Sequence, residues 1–475
     1  MMFGGMSPAE PHNSALPQPA TVVSRVIRYF QLEAHGTTPR REILGGVTTF
    51  LAMSYIIFVQ PGVLSQAGMN FQAVMAATCL SAALATLLMG LVANYPVALA
   101  PGMGENFFFV YTLCAAAPVG FGLTWQQALA AVFVAGVFFI LLTVSGLRSK
   151  IIDSIPHSLK VGIAAGIGLF ITLIGLEYAN LVVADPATLV RLGDFRQPVV
   201  LVSVLGLLVM IVLLGFRVRG AILLGILATT GIAAAFGMVH YRGIVSVDLH
   251  LSPTFWKFDL RGLAAVHPST LAAAIFVLLY LALFDTVGTL VGVGQQAGLL
   301  RDGKLPRSGE ALFADAVGTT AGAALGTSTI TCYIESAAGV SDGARTGLAN
   351  MVTGGLLVAA MFFSPLASMI GGGVAVGTDP NRNPIIRYPT LAPALIVVGA
   401  MMLKAVRELK WEDPTEYLPA FLTLVGIPLT FSIADGIAFG LISYSAAKLL
   451  TGRGRECPAL TYIFAGLFIL QFLIL

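Results

Sequence analysis

Charge is what this sequence has least of. Among 475 residues, 26 are Lys or Arg and 23 are Asp or Glu, together 10%, against about 25% in soluble domains. That dilution excludes an ordinary water-covered surface, and no nucleic-acid partner is expected. Cysteine is nearly absent: Cys79, Cys114, Cys332 and Cys457. These four have no C-x-x-C spacing and three lie in apolar runs, so they are expected as small buried hydrophobes. Enzyme signatures are missing too. No HExxH, Walker or GxSxG pattern stands in a convincing context, and GVGQQAG (292–298) lacks the GK[ST] that cradles phosphate. Neither enzyme activity, a cofactor nor a metal is expected. Residues 1–24 hold several Pro and Ser but no apolar h-region. The first 27 residues are therefore expected as a disordered cytoplasmic tail, not a cleaved signal peptide.

Apolar residues make up 57% of the chain. Uncharged runs recur along its whole length, each close to the ~20 residues that cross a hydrocarbon core as a helix. The alternation of a β-barrel is not seen. The pattern predicts an all-α polytopic membrane protein with spans at 43–60, 70–93, 97–115, 124–146, 158–176, 198–215, 219–238, 269–297, 308–325, 327–340, 344–368, 389–406, 415–431 and 433–450. A last apolar segment, 458–474, is either a further span or a terminal packing helix. With the N-terminus in the cytoplasm, all but seven Lys and Arg fall on inner segments. The exceptions are Arg191, Arg196, Arg242, Lys257, Arg261, Arg382 and Arg387. That asymmetry predicts an N-in, multi-pass protein of the cell membrane, inner or plasma, with the lipid bilayer as its first partner.

The chain also repeats itself. LAMSYIIFVQPGVLSQAGM (51–69) matches LALFDTVGTLVGVGQQAGL (281–299) at Leu51/Leu281, Ala52/Ala282, Gly62/Gly292, Val63/Val293, Gln66/Gln296, Ala67/Ala297 and Gly68/Gly298. These are the first and eighth spans. An odd number of spans per half inverts the second copy, the hallmark of secondary transporters. The third span opens PVALAPGMGENFFF (96–109) and the tenth ALGTSTITCYIESAAG (324–339). Both place Gly, Pro, Ser or Thr inside an apolar run, then a carboxylate, Glu105 or Glu335. Paired interrupted spans point to a midplane substrate site, where unwound backbone must line a cavity or be buried in protein.

Glu105, Asp285 and Glu335 form the clear intramembrane set, with Asp315 and Asp435 second in rank. No span supplies a Lys, Arg or His near its middle to neutralise them. A carboxylate at the centre of a membrane helix costs about 2.5–3.5 kcal/mol on insertion scales. A proton or a ligand is needed as partner, as in a proton-coupled carrier. An anion does not suit a site without an Arg clamp. A planar heterocycle with adjacent N–H donors does, because a carboxylate accepts two such bonds at once while hydroxyls donate to ring nitrogens or a carbonyl. Thr286, beside Asp285, adds a hydroxyl, and Phe107–Phe109 offer ring faces. Packing in the core or against lipid is the plainer role for any one of these rings.

Several stretches are similar to the azaguanine-like purine permeases of the nucleobase–cation symporter-2 superfamily. They are GTTPRREILGGVTTFLAMSYIIFVQPGVLSQAGM (36–69), ANYPVALAPGMGENFFF (93–109), FDTVGTLVGVGQQAGLL (284–300), GTSTITCYIESAAGVSDGARTGL (326–348) and PLTFSIADGIAFG (428–440). The resemblance runs from about residue 28 to 455. It implies 14 spans as a seven-plus-seven inverted repeat: 28–240, an extracytoplasmic loop at 241–268, then 269–455, before a C-terminal apolar segment at 456–475. It implies a core domain (40–146 and 269–368) and a gate domain (153–240 and 389–451), with a short strand before a half-helix in the third and tenth spans. It also implies uptake of purine bases (adenine, guanine, hypoxanthine) with protons, by elevator or rocking alternating access. Asp285 and Glu335 would bind the base and couple the proton, Asn106 matches the family asparagine, and Thr327, Ser328 and Thr329 match its GTST turn. Carriers of this fold often form dimers, so a homodimer is an expected partnership. The alternative on the same architecture is an anion exchanger or channel. Two departures stand out: Glu105, where most relatives have an apolar residue, and a longer outer loop at 371–389.

Overall fold

Backbone N–H and C=O groups inside a membrane must be paired within the protein, so the apolar runs fold as helices. The computed structural model describes residues 22–116, 120–146, 156–248, 250–300, 305–378 and 384–474. Residues 1–21 of the expected tail lie outside these, as do Arg148, Lys150, Arg301, Lys304 and Arg382 of the charge count.

The first half begins with α1 (Val22–Tyr29), in a stretch expected as tail up to residue 27. It continues through α2 (Pro39–Met53), α3 (Ile56–Leu64), α4 (Phe71–Leu88), strand β1 (Leu99–Pro101), α5 (Met103–Phe108), α6 (Trp125–Val144) and α7 (His157–Tyr178). A hairpin, β2 (Val182–Asp185) with β3 (Leu189–Leu192), leads to α8 (Pro198–Gly215), α9 (Ala221–Ala235) and α10 (Leu260–Ala264). The second half runs α11 (Pro268–Gln296), α12 (Ser308–Leu325), β4 (Ile330–Cys332), α13 (Ser336–Ser341), α14 (Leu348–Ala360) and α15 (Ser364–Ile370). A second hairpin, β5 (Val374–Thr378) with β6 (Pro384–Arg387), precedes α16 (Ala392–Met402), α17 (Pro414–Thr430), α18 (Ile433–Leu450) and α19 (Ala459–Ile474). Among the described residues, eight helices are long and apolar enough to cross a membrane. This is a multi-pass membrane protein.

Local chemistry sets the helix ends. Thr38 caps α2 ahead of Pro39, and the Asn70 side chain accepts from Ala73 N–H at 3.0 Å to start α4. Thr124 and Gln127 make a capping box on α6. The first apolar run is broken at Ser54–Tyr55, between α2 and α3, with Pro61 inside α3.

The helices pack in two groups. In the first, α2, α3, α4, α6, α12, α13 and α14 surround β1 and β4, with α11 against α6 and β4. In the second, α7 packs on α16, α17 and α18, with α8 and α9 beside α16. Within each group backbones touch. A Cβ on Gly46 of α2 would meet Ala349 O of α14 at 2.4 Å, and one on Gly168 of α7 would meet Gly399 O of α16 at 2.7 Å. Small residues at such crossings drive membrane helices together. Glu42 of α2, fully buried, accepts from the N–H groups of Arg345 (2.8 Å), Thr346 and Ala349 (both 3.3 Å) and so caps the start of α14. α19 lies on α18 and sets Phe464 and Phe468 against Phe276 of α11.

Candidate functional site

The third and tenth predicted spans meet in the middle of the first group. β1 and β4 pair antiparallel, Leu99 opposite Cys332, Ala100 opposite Thr331 and Pro101 opposite Ile330. Gly102 N–H donates to Thr329 O (3.0 Å) and Tyr333 N–H to Ala98 O (2.9 Å), extending the ladder at both ends. A two-stranded sheet has two open edges, intolerable in an apolar interior. Threonines close them. Thr86 of α4 both accepts from Leu99 N–H (2.9 Å) and donates to Leu99 O (3.0 Å). Thr319 of α12 does the same for Ile330, at 3.1 Å each way. One helix from each half thus satisfies the strand of its own half.

The strand ends aim the predicted site residues at one another. Glu335, 8% exposed, follows β4 and accepts the Tyr55 hydroxyl at 2.6 Å. Thr327, Ser328 and Thr329 precede β4 and are fully buried. Gln60 of α3 donates to Thr327 Oγ1 (2.8 Å) and Ser328 Oγ (3.1 Å), and the Ser328 hydroxyl donates to Asn106 Oδ1. Among the described residues the Asn106 amide nitrogen makes only a long contact, 4.0 Å, to Met103 Sδ. Gln60 Oε1 and Thr329 Oγ1 are buried without a hydrogen-bond partner among the described residues. Asp285 of α11 is partly buried. It interacts with the Thr331 hydroxyl and lies within electrostatic reach of Glu335 and Asp315. Its neighbour Thr286 donates to Asp315 Oδ1 at 2.8 Å and sits 3.1 Å from Thr331 Oγ1. Glu105 is 2% exposed and faces Asp285 and Asp315. Phe107 is fully buried, its ring stacked with Tyr111 (6.1 Å, 12°) and edge-on to Phe170 of α7 (6.0 Å). Asp435 sits in the first turn of α18 and takes no part in this cluster: its backbone N–H donates to Ser432 Oγ at 3.2 Å.

The structure adds residues that the sequence reading did not select: Tyr55, Gln60 and Thr331, with Asp315 raised from second rank. Two signals pointed to them. Tyr55 is the repeat partner of Asp285, and Gln60 is a polar residue inside an apolar run.

Aromatic and amide side chains bridge the two helix groups. Phe170 and Phe431 of the second group each meet Tyr111, at 6.5 and 5.5 Å. At the end of the molecule where α3 and α7 finish, Tyr111 donates to Gln66 Oε1 (2.8 Å) and Gln66 Nε2 donates to the Tyr178 hydroxyl. Tyr178 packs on Tyr388, after β6 (4.8 Å), and Arg387 pairs with Glu177 at 3.2 Å. The longer loop predicted at 371–389 is therefore tied to α7 by a hairpin. A cavity of about 500 Å³ opens beside this bridge, lined by Gln66, Tyr111, Trp125 and Gln126 among others. At the opposite end, Arg219, between α8 and α9, pairs with Asp342 after α13 at 2.9 Å.

Comparison with known proteins gives a consistent picture. A family model described as "Permease family" matches residues 40–439. The adenine permease AdeP of Escherichia coli (strain K12) is 43% identical over 445 residues, covering 94% of this chain and 95% of that one. The guanine/hypoxanthine permease PbuO of Bacillus subtilis (strain 168) is 42% identical over 452 residues, covering 94% of this chain and 100% of that one. Among solved structures, the transmembrane domain of the cyanobacterium bicarbonate transporter BicA superposes with a TM-score of 0.62 at 16% identity, over 83% of this chain and 97% of that one. At that identity the likeness is one of fold alone.

Proposed function

This chain belongs to that permease family, a family of transporters and not of enzymes, and we propose that it carries purine nucleobases across the cell membrane together with protons. The observation that carries the reading is the convergence of Asp285, Glu335, Asn106 and the Thr327–Thr329 turn on one strand crossing, with polar atoms left unpaired there. Buried polar groups without partners are rare in native folds. These match a planar base: Asn106 Nδ2 and Thr329 Oγ1 can donate to a carbonyl or ring nitrogen, and Gln60 Oε1 can accept an N–H. Tyr55 occupies Glu335 Oε1, which leaves Oε2 for the N–H edge of the base. Asp285 completes a two-carboxylate cradle, with Thr286 setting the hydroxyl network behind it. Phe107 contributes an aromatic wall through Tyr111, Phe170 and Phe431.

The mechanism is alternating access. The first helix group is the core that carries the site, and the second is the gate. With the N-terminus cytoplasmic, Gln66, Tyr111 and Tyr178 form the outer closure, and the Arg219–Asp342 pair lies at the inner face. Asp285 and Glu335 take up the transported proton and the base on one side and release both on the other. Acids at the cradle argue against the anion-exchange reading, since they repel an anion.

Proteoliposomes offered adenine, guanine, hypoxanthine, xanthine and uracil, with and without a pH gradient, test this. Wild type is expected to accumulate a purine only with the gradient, and Asp285→Asn and Glu335→Gln to lose accumulation. Uphill transport surviving in both variants would overturn the assignment.

A further inference from the structure

The proposed cradle leaves one buried acid without a task. Glu105 sits in the first turn of α5, and its Oε1 has no hydrogen-bond partner among the described residues. Its other oxygen folds back over Gly102. A Cβ at Gly102 would lie 2.1 Å from Glu105 Oε2 and 2.6 Å from Thr331 Cγ2, so only glycine leaves room for the carboxyl there. The titratable groups that face it are Asp285 from α11, Asp315 from α12 and Tyr333 from the turn after β4. α7 presents apolar Ile167 to the adjoining Gly104, where an added Cβ would lie 3.1 Å from Ile167 Cγ2.

The Thr286 hydroxyl donates to Asp315 Oδ1. With that proton committed, the Thr331 hydroxyl is the donor to Thr286 Oγ1 at 3.1 Å, and it lies within reach of Asp285. Tyr333 donates away from the cluster, to Pro101 O at 2.5 Å. Each hydroxyl has a single proton to give. None of these three hydroxyls is paired with Glu105, whose Oε1 receives no donor among the described residues. A buried carboxylate oxygen with neither donor nor counter-charge is costly, and a bound proton removes that cost by neutralising the group.

We propose that Glu105 is a second proton site, set behind the strand crossing and separate from the Asp285–Glu335 cradle, and that its proton travels with the substrate. The inference rests on the proton-coupled reading above. Asp285 links the two sites, lying within electrostatic reach of Glu335, of Glu105 and of Asp315. Filling the cradle changes the field at Glu105, which links the second proton to the cargo. The Glu105 carboxylate gains the proton as an O–H bond in one state and loses it on the other side of the membrane. Nothing is oxidised or reduced.

The test is static-head accumulation of a labelled purine by full-length protein in liposomes at an imposed pH difference. Each coupled proton multiplies the accumulation ratio about tenfold per pH unit. Glu105→Leu and the isosteric Glu105→Gln are expected to lower the ratio about tenfold at one pH unit, while substrate counterflow, which moves no net protons, continues. An unchanged ratio overturns the proposal, as does accumulation that follows a sodium gradient and ignores pH. Infrared spectroscopy of the purified, substrate-free protein gives a second readout. A protonated-carboxyl band present in wild type is expected to be missing from Glu105→Gln, and an identical band in both overturns the proposal. The infrared result needs no purine. It is distinct from failure of the purine reading, which would appear as wild type accumulating no base at all.

Discussion

Tyr55 and Asp285 align when residues 51–69 are set against 281–299, yet one is a phenol and the other an acid. The structure gives the phenol its use: it holds Glu335, 280 residues away in sequence, at 2.6 Å. Removing a partner from a buried group costs about 1–3 kcal/mol. Tyr55→Phe is therefore expected to lower kcat/KM for uptake about tenfold, mostly through KM, as measured by initial rates in liposomes. Rates equal to wild type would mean that Glu335 does not depend on this bond. Asp285 and Glu335 were legible because a carboxylate in an apolar run is conspicuous. Asn106 and the 327–329 turn were legible through resemblance. Tyr55, Gln60 and Thr331 were not selected, because uncharged polar residues are tolerated in membrane helices and their partners lie far along the chain.

Helices were the most legible elements, since length and hydropathy alone place them. The residues alone signalled the two strands of the crossing only as interruptions; the resemblance supplied them as strands, and their pairing required knowing that the halves cross. The hairpins β2–β3 and β5–β6 were not selected, although Asp185-Pro186 and Asp379-Pro380 are turn-initiating pairs in their connections. The strand edges depend on Thr86 and Thr319, and each can be tested by a substitution that keeps its shape. Thr319→Val leaves the Ile330 N–H and C=O without their partner. It is expected to lower the melting temperature in detergent, with Thr86→Val doing so to a similar degree. A melting curve unmoved by both would show that the edges are paired otherwise. At the start of α17, the Thr415 hydroxyl and Arg453 hold the Asp413 carboxyl well below its ordinary value, at about 2. A lowered value stabilises the folded form above the unfolded pKa of about 3.8 and is lost as pH falls toward 2. Asp413→Asn is expected to lower thermal stability at pH 7 and to matter progressively less below pH 4. An equal effect at both pH values would rule out this origin.

The whole molecule divides along a seam. Inside each helix group, glycine brings backbones into contact. Between the groups, contact at the Gln66 end is made by side-chain tips: rings, an amide and a phenol. The division into groups was not legible from composition, because both faces of the seam are built from the same apolar residues. If the Gln66–Tyr178 contact must part in each cycle, bridging it should stop transport. Gln66→Cys with Tyr178→Cys, joined by a short thiol crosslinker, is expected to reduce uptake to background and to recover with a cleavable linker once cut. Full uptake in a bridged sample would move the opening elsewhere. The strand crossing also separates shape from chemistry. Its shape is fixed by main-chain bonds and two threonines outside the cradle, not by the residues that would touch cargo. Mutation can therefore exchange an acid, amide or hydroxyl in the cradle without dismantling the frame. Such a frame holds its shape while the side chains around it vary, and the same fold is found at 16% identity.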